Sequence, residues 1–161
     1  MMTSLNIIDS WLSKTKDSLI QNYLAMGLKA SGNWAEKLET KSEEIESGYR
    51  ATILGEQYTG ALLNGRKKNK NQENVKGFAG WMANKRDGLI YKWCQNKGIE
   101  TKYAYPIALK IATEGIKVPN QYNTGKLISA VITDELISNL IKLVGNAELE
   151  NFFSGLKQEL K

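Results

Sequence analysis

The side chains that could carry out acid–base or nucleophilic chemistry are few and scattered along the sequence. The chain has no histidine, and histidine is the side chain most often used as a general base or metal ligand near neutral pH. Its single cysteine, Cys94, lies among apolar residues, so we expect a small buried side chain there. Neighbouring carboxylates such as Glu43 and Glu44 point in different directions on a helix or a strand. The sequence therefore predicts no enzyme, no metal site and no cofactor site.

The strongest charged feature is a basic segment at residues 66–76, RKKNKNQENVK, which holds five basic residues against one acid. Its only large apolar residue is Val75, and this predicts an exposed loop. One interpretation is a solvated loop without a binding role. The other is a basic finger in which Arg66, Lys67, Lys68 and Lys70 contact DNA or an acidic protein neighbour.

The composition agrees with a single folded domain spanning residues 1–161. The net charge of +5 and the pI of about 9.2 favour polyanions at short range. Only three of the 22 basic residues are arginines, the side chain most suited to reading base edges, so binding that depends on DNA sequence is not expected. No secretion signal and no apolar run of about 20 residues is evident, so we expect a protein made and kept in the cytoplasm, without membrane contact.

The elements that position these residues are predicted to form an α+β fold. A helix is expected over residues 1–30, ending at Ser31–Gly32, then an α+β core over 31–132, then helices over 133–161. The core is predicted to be a small, mostly antiparallel sheet of three to four strands covered by two helices. The predicted strands are 34–40, 49–54, 58–63 and 127–132, of which 58–63 is also compatible with a short helix.

Glycines and a proline mark where the predicted helices begin and end. Apolar residues from Phe78 to Trp93 indicate helix, with a break at Asp87–Gly88 and a stop at Gly98. The next helix holds Pro106 in its first turn and stops at Gly115. A further helix is expected to stop at Gly145 and to be followed by a last one. Of the four tryptophans, most are expected in the core and one or two at an interface.

Four short motifs follow one another over about residues 31–122. They are Ser31-Gly32-Asn33-Trp34, Tyr58 through Arg66, Trp93-Cys94-Gln95-Asn96-Lys97-Gly98-Ile99, and Ala104 to Ile116. The order of these motifs resembles that of the tail-completion and minor head-tail joining proteins of tailed bacteriophages.

The resemblance implies a structural virion protein that is assembled in the host bacterial cytoplasm and lies at the neck. There, it would form a ring of six or twelve copies between the portal or an adaptor ring and the tail proteins. A closing ring needs two different surfaces on each copy, and the candidate contacts between copies are Trp81, Trp93, Phe152 and Phe153. Lys67, Lys68 and Lys70 would then face DNA in the channel without reading its sequence. The alternative hypothesis is a small basic DNA-binding or DNA-packaging accessory protein.

Overall fold

The structure is a computed structural model that describes residues 3–29 and 32–159, with side chains described up to residue 156. The chain is α+β and divides into two compact units. Residues 1–22, 37–56 and 128–161 carry 8 basic against 12 acidic residues, and we call them the acidic unit, of net charge −4. Residues 23–36 and 57–127 carry 14 basic against 5 acidic residues, and we call them the basic unit, of net charge +9.

The first helix, α1 (Ser4–Ala25), has the amphipathic pattern that the sequence predicts. Ile8, Leu12, Thr15 and Leu19 recur at three- and four-residue steps, and all four are buried in the acidic unit. The helix is shorter than predicted, because Gly27 takes a positive φ two residues after its end. Of the predicted stop at Ser31–Gly32, Ser31 lies outside the described residues.

A β-hairpin follows in the acidic unit, with β1 (Glu39–Ile45) antiparallel to β2 (Gly48–Leu54). The prediction of a strand over 49–54 is confirmed. The strand predicted over 34–40 is wrong in its first half, where the chain forms a short helix, α2 (Asn33–Glu36).

Contacts inside the basic unit, to which α2 belongs, explain why residues 33–36 form a helix instead of a strand. Trp34 is almost completely buried there, its ring centroid is 4.8 Å from that of Tyr23, and its indole N–H donates to Thr59 Oγ1 at 3.0 Å. These tertiary contacts outweigh the alternating pattern around Trp34, because a local pattern is only a weak preference.

The basic unit is built mainly of short helices. These are α3 (Thr59–Asn64), α4 (Gln72–Met82), α5 (Leu89–Asn96), a 3₁₀ turn (Thr101–Tyr103) and α6 (Ala104–Glu114). The expected helix break at Asp87–Gly88, the stops at Gly98 and Gly115, and the place of Pro106 in the first turn of α6 are confirmed. Three buried alanines at four-residue steps, Ala104, Ala108 and Ala112, line α6, which packs against α4. Because these side chains are small, the two helices can approach closely.

The second sheet of the described chain consists of two-residue strands, β3 (Gly65–Arg66) antiparallel to β4 (Ile116–Lys117). The prediction of one sheet with three to four strands is therefore wrong, since each described sheet has two. Residues 58–63 are mostly helix α3 rather than strand. Residues 127–132 form turns, in which the Val131 and Ile132 amides donate to the Ile128 carbonyl. Local hydrogen bonds thus take the place of the strand pairing predicted there.

The C-terminal segment is one helix, α7 (Asp134–Glu159), rather than two. The predicted stop at Gly145 is wrong, because the helix continues through this residue. Nothing lies within 4 Å of the position that a Cβ would take at Gly145. A glycine in a helix interior costs about 0.5–1 kcal/mol relative to alanine, which this long helix tolerates.

Candidate functional site

The predicted basic loop is shorter in the structure than in the sequence analysis. Residue 66 belongs to β3 and residues 72–76 belong to α4, so only residues 67–71 connect elements. The prediction of a loop over the whole of 66–76 is therefore wrong at both ends. The physical reason is that each end has backbone partners within the basic unit.

Arg66 is held by contacts inside this unit. Its guanidinium carbon lies 3.9 Å from the centre of the Phe78 ring, and Nη2 donates to Asn69 Oδ1 at 2.6 Å. Nη1 donates to the carbonyls of Lys67 at 3.3 Å and of Ile111 at 3.5 Å. The Ile111 carbonyl belongs to the last turn of α6, where a positive charge is favourable. Arg66 thus anchors the segment, and its side chain is less accessible to a partner than the lysines that follow.

Two asparagines fix the rest of the connection. The Asn69 amide donates to the Ala112 carbonyl at 2.8 Å, and its side-chain Nδ2 donates to the Asn74 carbonyl at 2.9 Å. Asn71 is the N-cap of α4, because its Oδ1 accepts from the Asn74 amide at 2.9 Å. Residues 67–71 are therefore held at a defined position between β3 and α4.

Gly65 and Gly115 make the β3–β4 pairing possible. Each ends a helix with a φ near +78°; Gly65 is the first residue of β3, and Gly115 directly precedes β4. A Cβ at Gly65 would lie 2.0 Å from the Ile116 carbonyl oxygen, and one at Gly115 would lie 2.3 Å from the Arg66 oxygen. Both positions therefore require glycine, for the positive φ and for the close approach of the backbones.

The exposed part of this region is a lysine cluster. Lys67, Lys68 and Lys70 are exposed, and Lys117 on β4 lies opposite Gly65 in the strand pairing and is exposed too. None of the four forms an ion pair with another described residue. Such lysines can contact phosphates or carboxylates, but they carry no fixed fork geometry for reading a base.

Most of the exposed large apolar side chains described in the acidic unit lie on α7. One side of this helix, with Leu136, Leu140, Val144 and Ala147, is half-buried or buried. Another side, which we call the α7 outer face, carries six exposed apolar residues. They are Ile137, Ile141, Leu149, Phe152, Phe153 and Leu156.

The six residues of this face together expose a large apolar area. At about 150–250 Å² for a fully exposed large side chain, the six residues expose roughly 600 Å². The largest exposed apolar patch of a typical soluble monomer is about 300–600 Å² and is often a functional surface. The predicted contacts Phe152 and Phe153 lie here, 62% and 56% exposed, with ring centroids 5.8 Å apart.

The two predicted tryptophan contacts lie in the basic unit. Trp81, at the end of α4, is 63% exposed, and Leu89, at the start of α5, is 46% exposed. Trp93 is half-buried, next to the fully buried Cys94. Burial raises the pKa of the Cys94 thiol, as expected for a structural rather than a reactive cysteine. Trp81 is thus the more accessible of the two tryptophans.

A polar cluster that the sequence analysis did not find joins three elements of the acidic unit. Glu148 on α7 accepts hydrogen bonds from the Ser4 hydroxyl on α1 and from the Tyr49 hydroxyl on β2, the latter at 2.6 Å. These bonds lower the pKa of the Glu148 carboxyl, and the carboxylate raises the pKa of the Tyr49 phenol. The residues are too far apart in sequence for any local pattern to indicate them.

No family model, curated protein or solved structure matches the chain. Among the described residues, no group of three or more His, Cys, Asp or Glu side chains could hold a metal ion. No described helix is long and apolar enough to cross a membrane.

Proposed function

We propose that this chain is a structural protein that acts by self-association, as one copy in a closed ring at the head-tail junction of a tailed bacteriophage virion. The observation that carries the proposal is the α7 outer face. A standard protein interface takes about 800 Å² from each partner, and this face exposes roughly 600 Å² of apolar side chains. The location in the virion is inferred from the motif order between residues 31 and 122.

A closed ring of more than two copies needs two unlike surfaces on each copy. The chain offers them, because its two units differ in charge and each exposes large apolar side chains. Phe152 and Phe153 belong to the acidic unit, and Trp81 belongs to the basic unit. In the proposed ring, the chain makes or breaks no covalent bond, and its partners are further copies, a portal or adaptor ring and tail proteins.

The test compares the oligomeric mass of the purified wild type with that of Phe152→Ser. Removing a central aromatic side chain from an interface costs about 2 kcal/mol or more, so self-association should weaken at least about 30-fold. Leu143→Ser is the matched control, since Leu143 is 55% exposed on α7 but outside the α7 outer face. Circular dichroism checks that both variants remain folded. Equal association of both variants would contradict the proposal.

A second candidate function, DNA binding or packaging, is favoured by the lysine cluster and by the net charge of +9 on the basic unit. It predicts salt-dependent binding of duplex DNA by the isolated chain. The triple variant Lys67→Glu, Lys68→Glu, Lys70→Glu should then lose this binding. If the wild type binds DNA but remains a monomer, this function replaces the ring.

A further inference from the structure

We propose that the α7 outer face of one copy docks on the corner between α4 and α5 of the next copy. This corner, which we call the α4–α5 corner, consists of Trp81, Lys85, Arg86, Asp87 and Leu89. This inference rests on the proposed self-association and adds to it which two surfaces meet. It assigns a head-to-tail interface, in which the acidic unit of each copy contacts the basic unit of its neighbour.

The α4–α5 corner has a defined backbone. Asn84 Oδ1 accepts from the Arg86 amide at 2.9 Å, and the Gly88 amide donates to the Asn84 carbonyl at 2.9 Å. A Cβ at Gly88 would lie only 2.5 Å from Asn84 backbone atoms, so the turn is as tight as glycine allows. Trp81 and Leu89 therefore lie at the two ends of a closed turn, and a partner would not have to order this turn on binding.

The charges of the two surfaces are complementary. Lys85, Arg86 and, one turn into α5, Lys92 are exposed and form no ion pair with described residues, and Asp87 is the one acid between them. The described side chains of α7 include four carboxylates and one lysine: Asp134, Glu135, Glu148, Glu150 and Lys142. Opposite charges around two apolar centres fix which surfaces pair and how they are oriented.

The same charges disfavour the obvious alternative, in which two copies pair through their α7 outer faces. Such a two-fold contact would bring two acidic units, each of net charge −4, against each other. Like charges facing each other across an interface are unfavourable. A two-fold contact would also close at two copies and could not continue into a ring.

Cross-linking between two variants, each with one added cysteine, tests the assignment. Ser138→Cys places a thiol on α7 between Ile137 and Ile141, and Asp87→Cys places one on the α4–α5 corner while removing its only acid. The native Cys94 is fully buried, so treating the wild type with the same short bismaleimide gives the background. We expect cross-linked dimers in the mixture of the two variants and no more than background in either variant alone.

The other outcomes are distinct. Cross-linking of Ser138→Cys with itself would overturn the head-to-tail interface in favour of a two-fold one. An oligomeric wild type without cross-links in the mixture would overturn the docking surface and leave the proposed function standing. A wild type that is monomeric by mass would overturn both.

A charge-reversal series provides a second readout. Lys85→Glu with Arg86→Glu, and separately Glu135→Lys with Glu150→Lys, should each weaken self-association about tenfold at low salt. Combining all four in one chain should restore it. The matched control, Lys67→Glu with Lys68→Glu, reverses two exposed lysines elsewhere in the basic unit and should leave association unchanged. Equal loss with the control variant would show that total charge alone drives association, and would overturn the proposal.

Discussion

Trp34 and Gly65 of the basic unit have surroundings opposite to those of Phe152 and Gly145 of the acidic unit. In the basic unit, Trp34 is buried against Tyr23, and Gly65 lies where two backbones nearly touch. In the acidic unit, Phe152 is exposed on α7, and Gly145 lies in open space within the same helix. An apolar side chain that is exposed in a single copy can contribute binding free energy only when the surface of another molecule buries it. The comparison therefore separates residues that hold a unit together from residues that are free to join copies.

The largest effect is expected at Trp34. Trp34→Ala removes a fully buried indole, its ring contact and its hydrogen bond, and should lower the free energy of unfolding by about 3–5 kcal/mol. Trp81→Ala, in the same unit but 63% exposed, should change it by less than about 0.5 kcal/mol. Urea unfolding, followed by circular dichroism at concentrations where copies are separate, measures both. A similar decrease in the free energy of unfolding for both variants would contradict the assignment of Trp34 to the core and of Trp81 to the surface.

The next largest effect on stability is expected when glycine is replaced by alanine at Gly65 and, separately, at Gly145. Gly65→Ala forces a positive φ on a residue with a Cβ that meets the Ile116 carbonyl, and should cost at least about 1–3 kcal/mol. Gly145→Ala adds a helix-favouring methyl group in open space, and should stabilise the chain by about 0.5–1 kcal/mol. The midpoint temperature of thermal unfolding should therefore fall in Gly65→Ala and rise in Gly145→Ala, relative to the wild type. A shift of both midpoints in the same direction would contradict the different surroundings given to these two glycines.

The smallest effect concerns pH and the acidic unit. The folded-state pKa of Glu148 is below its ordinary value of 4.5, because Ser4 and Tyr49 donate hydrogen bonds to its carboxylate. The resulting stabilisation is complete above 4.5 and is lost as the pH falls through the lower folded-state pKa. Glu148→Gln should therefore flatten the decrease of the unfolding midpoint below this pH. A residual slope is expected from Glu43, whose pKa is lowered by Lys41 and Arg50. An unchanged slope in the variant would contradict the role given to this cluster.

Local signals predicted the parts of the fold that local physics decides. The period of α1 follows from side-chain spacing, and the stop at Gly115 follows from the backbone freedom of glycine. The break at Gly88 follows from a turn in which a Cβ would meet the backbone of Asn84. The elements that were predicted wrongly depend on distant partners. Trp34 forms a helix because Tyr23 and Thr59 contact it, and no pattern around residue 34 contains this information. Helix α7 continues through Gly145, since a glycine in a helix interior costs only about 0.5–1 kcal/mol relative to alanine.

The candidate site, like the fold, was predictable from the sequence only where local patterns decide it. The exposure of Lys67, Lys68 and Lys70 follows from the absence of apolar neighbours in sequence, and the structure has them exposed. The internal contacts of Arg66 with Phe78 and α6 could not be foreseen, because they join residues from different elements. Of the α4–α5 corner, the sequence indicated Trp81 but not Lys85, Arg86 or Leu89, which come together with it through the turn at Asn84.

The central claim is that unlike surfaces of one chain join copies into a closed ring. It is tested most directly by the native mass of the purified chain over a range of concentrations, together with negative-stain class averages, with and without a portal ring. The account predicts particles of more than two copies with rotational symmetry. A chain that stays monomeric at every concentration, alone and with the portal ring, would contradict it.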